Sequence, residues 1–164
     1  MIQMPAINTP QFDWVKSRLP NEAEPVPPIF QPEVCADAVF YAATHDVGRE
    51  LLVGWPTVKA VTAEKVVPAM IDERLSGPEG FEAQQTSALR DLDRPDNLWQ
   101  PAPGNYGAHG RFDARAKSRS IEWNVRKAMG PQHEWLLLGI AGLAGVALGA
   151  MNRGQKTGDD SSSW

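Results

Sequence analysis

Several residue groups have types and spacings that chemistry uses. His133-Glu134 begins like the zinc-binding helix of a metalloprotease, where two histidines four apart hold the metal and the glutamate acts as base, but position 137 is Leu. No zinc centre follows from it. Asp91, Asp93 and Asp96 are acidic at short spacing, yet Pro95 and the missing loop glycine break the calcium-loop pattern. Gly145 and Gly149 approach the spacing of a phosphate-cradling glycine loop, but the final glycine is absent and no strand precedes them. His45 and His109 fall in loops without companion ligands at metal spacing, and read as solvated turn histidines. Cys35 is the only cysteine, so no internal disulfide forms, and no His or Asp is placed to activate it as a nucleophile. It reads as a small buried hydrophobe.

The elements that must position any site lie in residues 1–76, where the hydrophobic pattern is periodic. Met1 to Pro10 reads as a strand end and a tight loop with no preceding element to pair with. A lone short strand cannot satisfy its backbone, so its neighbours are expected before residue 1 or on another chain. Thr9-Pro10 can cap and start a helix whose apolar face is Phe12, Trp14, Val15 and Leu19, ending by Pro20. Asn21 to Pro28 is a proline-rich loop. A helix follows from Pro32 to Thr44, with Val34, Ala38, Tyr41 and Ala42 at helical spacing. Asp46-Val-Gly-Arg turns the chain into a buried strand at Glu50–Gly54, and Thr57 to Leu75 is helical again, kinked or restarted at Pro68.

Residues 77–130 are a Pro/Gly-rich extension of turn chemistry, expected either to wrap over a surface, pinned by Leu92, Leu98, Trp99 and Phe112, or to be disordered. Residues 131–152 contain the uncharged run Trp135–Met151, about 25 Å long as a helix against a hydrocarbon core of about 30 Å. Ala141, Gly145 and Gly149 lie four apart on one face, and basic residues bracket the run, so it reads as a membrane anchor, with a buried helix as the alternative. Residues 153–164 are expected to form a disordered polar tail. A net charge of −4 and a pI near 5.4 give no general attraction to nucleic acid, and Arg111, Arg115, Lys117, Arg119, Arg126 and Lys127 are interspersed with Asp113 and Glu122. No secretory signal is present, and the location read from this is cytoplasmic, with the C-terminal helix as the membrane attachment.

The order strand, Asn8-Thr9-Pro10 loop, variable helix, proline-rich loop, Gln-Pro-Glu-Val helix and Arg49-Glu-Leu-Leu-Val-Gly54 strand resembles the last part of a short-chain dehydrogenase/reductase. Ile7-Asn8-Thr9-Pro10 aligns with the end of that family's Pro-Gly-x-Val-x-Thr motif, although Met4 and Pro5 stand where the family has Pro and Gly. Pro32 to Val39 is similar to its penultimate core helix and Leu51-Leu-Val-Gly54 to its seventh strand. The resemblance covers residues 1 to about 75. It implies an α/β fold, the C-terminal part of a Rossmann-like doubly wound parallel sheet, followed by the irregular extension and the apolar helix. It also implies NAD or NADP as cofactor, with the Ile7 backbone and the Thr9 hydroxyl contacting the nicotinamide carboxamide or a phosphate, and Phe12 to Phe30 beside the substrate.

The family's catalytic machinery is absent. Its Tyr-x-x-x-Lys pair has no counterpart, because the residues four beyond Tyr41 and Tyr106 are His45 and Gly110, and the glycine-rich phosphate loop is missing too. No catalytic residue is assigned and no metal is expected. One expectation is therefore the substrate-side part of an NAD(P)-dependent oxidoreductase acting on an alcohol or ketone, inactive alone and partnered by a missing N-terminal dinucleotide-binding part or another chain. The other is a non-enzymatic, tail-anchored interaction protein whose first 75 residues add a helix and strand to a partner.

Overall fold

Residues 1–130 are described by a computed structural model. Its elements are β1 (Ile2–Gln3), α1 (Gln11–Trp14), β2 (Asn21–Ala23), α2 (Pro32–Thr44), β3 (Leu51–Leu52), α3 (Trp55–Val66), α4 (Pro68–Ser76), α5 (Pro78–Glu82), β4 (Gln85–Leu89) and α6 (Ile121–Met129), with a 3-10 turn at Asp113–Arg115. β1 and β3 run parallel, Ile2 opposite Leu51 and Gln3 opposite Leu52. The Leu51 and Val53 amides each donate at 2.9 Å, to the Met1 and Gln3 carbonyls. The opening strand thus finds a neighbour within the chain.

α2 begins at Pro32, whose missing N–H costs nothing in a first helical turn, and Glu33 complements the positive end of the helix dipole. It buries Val34, Cys35, Ala38 and Tyr41, and at its end the His45 ring stacks on Tyr41 at 4.0 Å. The core joins these side chains to Phe30, Leu51, Val53 and Trp123, with Ile2, Ala42 and Val47 packed beside them. Trp123 meets Tyr41 edge-on at 5.4 Å and donates its indole N–H to Asp37 Oδ2 at 2.6 Å. A residue from the extension therefore completes the first core.

Beyond β3, Gly54 has φ +81°, and a Cβ there would lie 3.4 Å from the Pro5 ring. Only glycine turns the chain into α3 in that space without strain. α3 stops at Val67, and α4 restarts at Pro68, which has no N–H to continue the first helix.

Three differences from the sequence reading have physical causes. The helix expected to run to Leu19 is only Gln11–Trp14, because the carbonyls that would extend it are taken elsewhere: Arg94 donates to the Phe12 and Val15 carbonyls at 2.9 and 3.0 Å, and the Asn97 amide to that of Trp14 at 3.0 Å. The proline-rich loop contains β2, which pairs antiparallel with β4, Asn21 opposite Leu89 and Ala23 opposite Gln85. Leu92, Leu98 and Trp99 do not pin the extension, since all three are exposed; Phe112 is buried, and arginines do the rest.

The described fold is mixed α/β, with one parallel and one antiparallel sheet of two strands each. Met1–Asn124 forms one compact unit. From Val125 the described chain completes α6, closed by Gly130, whose φ is +77° and whose amide donates to the Arg126 carbonyl at 3.1 Å. The membrane reading of Trp135–Met151, and the polar tail, lie outside the described residues. Among the described residues no helix is long and apolar enough to cross a membrane, so the described structure gives no support to the transmembrane and membrane-attachment reading.

Candidate functional site

The loop beyond the carboxyl end of β1 is where the sequence placed its two candidate residues, Ile7 and Thr9. Three extended stretches meet there: Phe30 lies between Ile7 and Lys117 in parallel bridges. The Phe30 amide donates to the Ala6 carbonyl at 2.9 Å, the Asn8 amide to the Phe30 carbonyl at 2.8 Å, and the Lys117 amide to that of Ile29 at 2.9 Å. The Ile7 carbonyl accepts the Thr9 amide at 3.0 Å. Pro10, not Thr9, holds the N-cap position of α1, so the capping role expected of the Thr9 hydroxyl is not observed.

Between the two candidates sits Asn8, fully buried and missed by the sequence reading. Its Oδ1 accepts the Phe112 amide at 3.1 Å, and its Nδ2 donates to Gln31 Oε1 at 3.0 Å and Asp113 Oδ1 at 2.8 Å. Its carbonyl accepts the Gly110 amide at 3.3 Å. A buried amide is costly unless its polar atoms are paired, and here every one has a partner. Gly110 is pressed so closely on the loop that a Cβ there would fall 2.5 Å from the Thr9 carbonyl oxygen.

Around Asn8 runs a polar chain ending in His109. Its Nε2 lies 2.7 Å from Glu33 Oε1, in the first turn of α2, and its Nδ1 3.3 Å from Asp113 Oδ1. Gln31 Nε2 also donates to Asp113 Oδ1, at 2.9 Å. The Glu33 and Asp113 carboxylates hold the imidazolium pKa above its ordinary range. In turn Glu33 is held low by its own backbone amide and by His109, and Asp113 by Gln31 and His109. His109 is therefore no plain turn histidine. The signal that could have found it is His109 and Asp113 four apart with Gly110 between them.

Next to this cluster the extension is fastened to β2. Arg111 reaches Glu22 at 3.1 Å and Asp13 at 3.6 Å, Arg115 reaches Glu24 at 2.5 Å, and both guanidinium groups lie over the Phe112 ring, at 5.2 and 5.9 Å. Phe112 in turn packs edge-on against Phe12 at 5.7 Å.

Cys35 sits as the sequence implied. Cys35 is buried, and burial pushes its thiol up to about 11, which leaves it unreactive at neutral pH. Among the described residues no cluster of three or more His, Cys, Asp or Glu is arranged to hold a metal ion.

No family model, curated protein or solved structure matches this chain. The labels of oxidoreductase and short-chain dehydrogenase thus gain no support from known proteins.

Proposed function

We propose that residues 1–76 supply the substrate-side part of an NAD(P)-dependent oxidoreductase of the short-chain dehydrogenase/reductase type, acting on an alcohol or ketone. The observation that carries this reading is the parallel pair β1 and β3, adjacent in register and joined through α2, with the Ile7–Thr9 loop beyond the carboxyl end of β1. In open parallel α/β sheets ligands bind outside the carboxyl ends of the strands. The outer edges of β1 and β3 have no partner strand among the described residues, which fits a sheet continued by a dinucleotide-binding unit.

In this reading the Ile7 backbone and the Thr9 hydroxyl are the chain's contribution to cofactor binding, and Phe12 to Phe30 its contribution to the substrate pocket. The residues present fit NAD or NADP only at that margin: the Asn8 side of the loop is already filled by Gly110 and Phe112. Tyr41 and Tyr106 remain outside any catalytic role, Tyr41 because it is buried in the core and Tyr106 because its hydroxyl donates to the Pro103 carbonyl at 2.9 Å.

Reading the coding sequence upstream of Met1 in all frames, and isolating the tagged chain with NADH or NADPH fluorescence as the probe, tests the proposal. A glycine-rich loop with Tyr-x-x-x-Lys upstream, or a co-purifying unit that binds the dinucleotide, is expected. Finding neither overturns it.

A further inference from the structure

His109 is held between carboxylates from two different elements, and its chain neighbours are the residues that cover the Asn8–Thr9 loop. Glu33 belongs to α2 and faces Nε2; Asp113 belongs to the 3-10 turn and faces Nδ1. A carboxylate only accepts, and a neutral imidazole has one N–H, so only the doubly protonated ring donates to both partners at once. On losing a proton, one ring nitrogen presents its lone pair to a carboxylate oxygen. One of the two ties then becomes a repulsion.

The other charged groups nearby are committed elsewhere. Arg111 binds Glu22 and Asp13, Arg115 binds Glu24, and Asp37 accepts from Trp123. From the β1 loop and the chain before α2, only the uncharged Asn8 and Gln31 reach the cluster. The carboxylates bonded to the His109 ring are those of Glu33 and Asp113.

We propose that Gly107–Asp113 is a proton-operated latch over the Asn8–Thr9 loop: a charged His109 bridges Glu33 and Asp113 and holds it shut, and a neutral His109 loosens it. Shut, the latch has the Gly110 and Phe112 amides on Asn8 and the Gly110 Cα against the Thr9 carbonyl, so that face of the loop is closed to any ligand. Gly107, with φ +67° and open space around it, is a hinge that other residues would not favour. Regulation of cofactor access rests on the reading given above; the latch itself does not.

The test is a nuclear magnetic resonance titration of the full chain between about pH 5 and pH 9, a span around the ordinary histidine value of about 6.5. The His109 ring signals and the Gly110 and Phe112 backbone amides are expected to move with one common midpoint, above that ordinary value. In Glu33→Gln, at an exposed position, all three midpoints shift down together. In His109→Gln the two amides lose the transition. Amides that stay still while His109 titrates, or a wild-type ring that titrates at or below the ordinary value, overturn the latch. Because the readout is in the chain alone, its failure is distinct from failure to find a dinucleotide-binding unit.

Discussion

The Gly110 amide donates to the Asn8 carbonyl across 102 positions of sequence, at 3.3 Å, with no room for a side chain between the two backbones. Gly110→Ala places a methyl 2.5 Å from the Thr9 carbonyl oxygen and 2.8 Å from Asn8 Oδ1, so backbone must move. A loss of about 1–3 kcal/mol is expected, read as a lower denaturant midpoint with unchanged slope. A wild-type midpoint would show that this contact is not made.

Asn8→Ala leaves the buried Phe112 amide without its acceptor, and its cost is expected at about 2–3 kcal/mol. Asn8→Asp is worse near neutral pH, because a second carboxylate then faces Asp113 where Nδ2 now donates at 2.8 Å. Thermal unfolding of both variants, at pH 5 and at pH 8, gives the order.

α2 and the restart at Pro68 were legible in the sequence because their causes are local. Proline at a first turn and apolar residues at helical spacing act within a few residues of where they stand. Asn8 gave no such sign, since a single polar residue becomes a hub only when Gln31, Phe112 and Asp113 arrive from afar. The pairing of β2 with β4 was hidden for the same reason. Trp123 looked like part of an irregular extension, and only the indole bond to Asp37 and the contact with Tyr41 reveal it as core.

Arg94→Ala frees the Phe12 and Val15 carbonyls together and is expected to cost about 2 kcal/mol, whereas Lys16→Ala, which removes an exposed pair with Asp96, is expected to leave the midpoint nearly unchanged. Arg94→Lys does not restore the loss, since an ammonium cannot span two carbonyls as a planar fork does. Denaturation midpoints of the three variants decide the point.

Stability has two pH limbs with opposite signs. Glu33, Asp96 and Asp113 are held low in the fold, so their contribution is present above about pH 4 and is lost as pH falls through their folded values. His109 is held high, so its contribution is complete below about pH 6.5 and is lost as pH rises through its folded value. Guanidinium midpoints are expected to be highest between those limits, and His109→Gln to remove the upper limb while keeping the lower one.

Trp123→Phe keeps an aromatic ring against Tyr41 but cannot bond Asp37, and is expected to cost about 1–3 kcal/mol. Trp123→Ala opens a cavity at a site 1% exposed, at a cost of about 3–5 kcal/mol. Near-ultraviolet circular dichroism follows both, and a full native signal in Trp123→Ala would remove this residue from the core.

The Phe30–Lys117 bridge is a long-range closure of the chain. Phe30 is the middle of three extended stretches, and its two neighbours are separated by most of the unit's length. The Ile7–Phe30 bridge closes over 23 residues and the Phe30–Lys117 bridge over 87, so the second carries the larger loop-closure cost. A shortened chain ending before Lys117 is expected to keep α2 but to lose the third of these stretches, and refolding of the unit is expected to be slower than formation of its local helices.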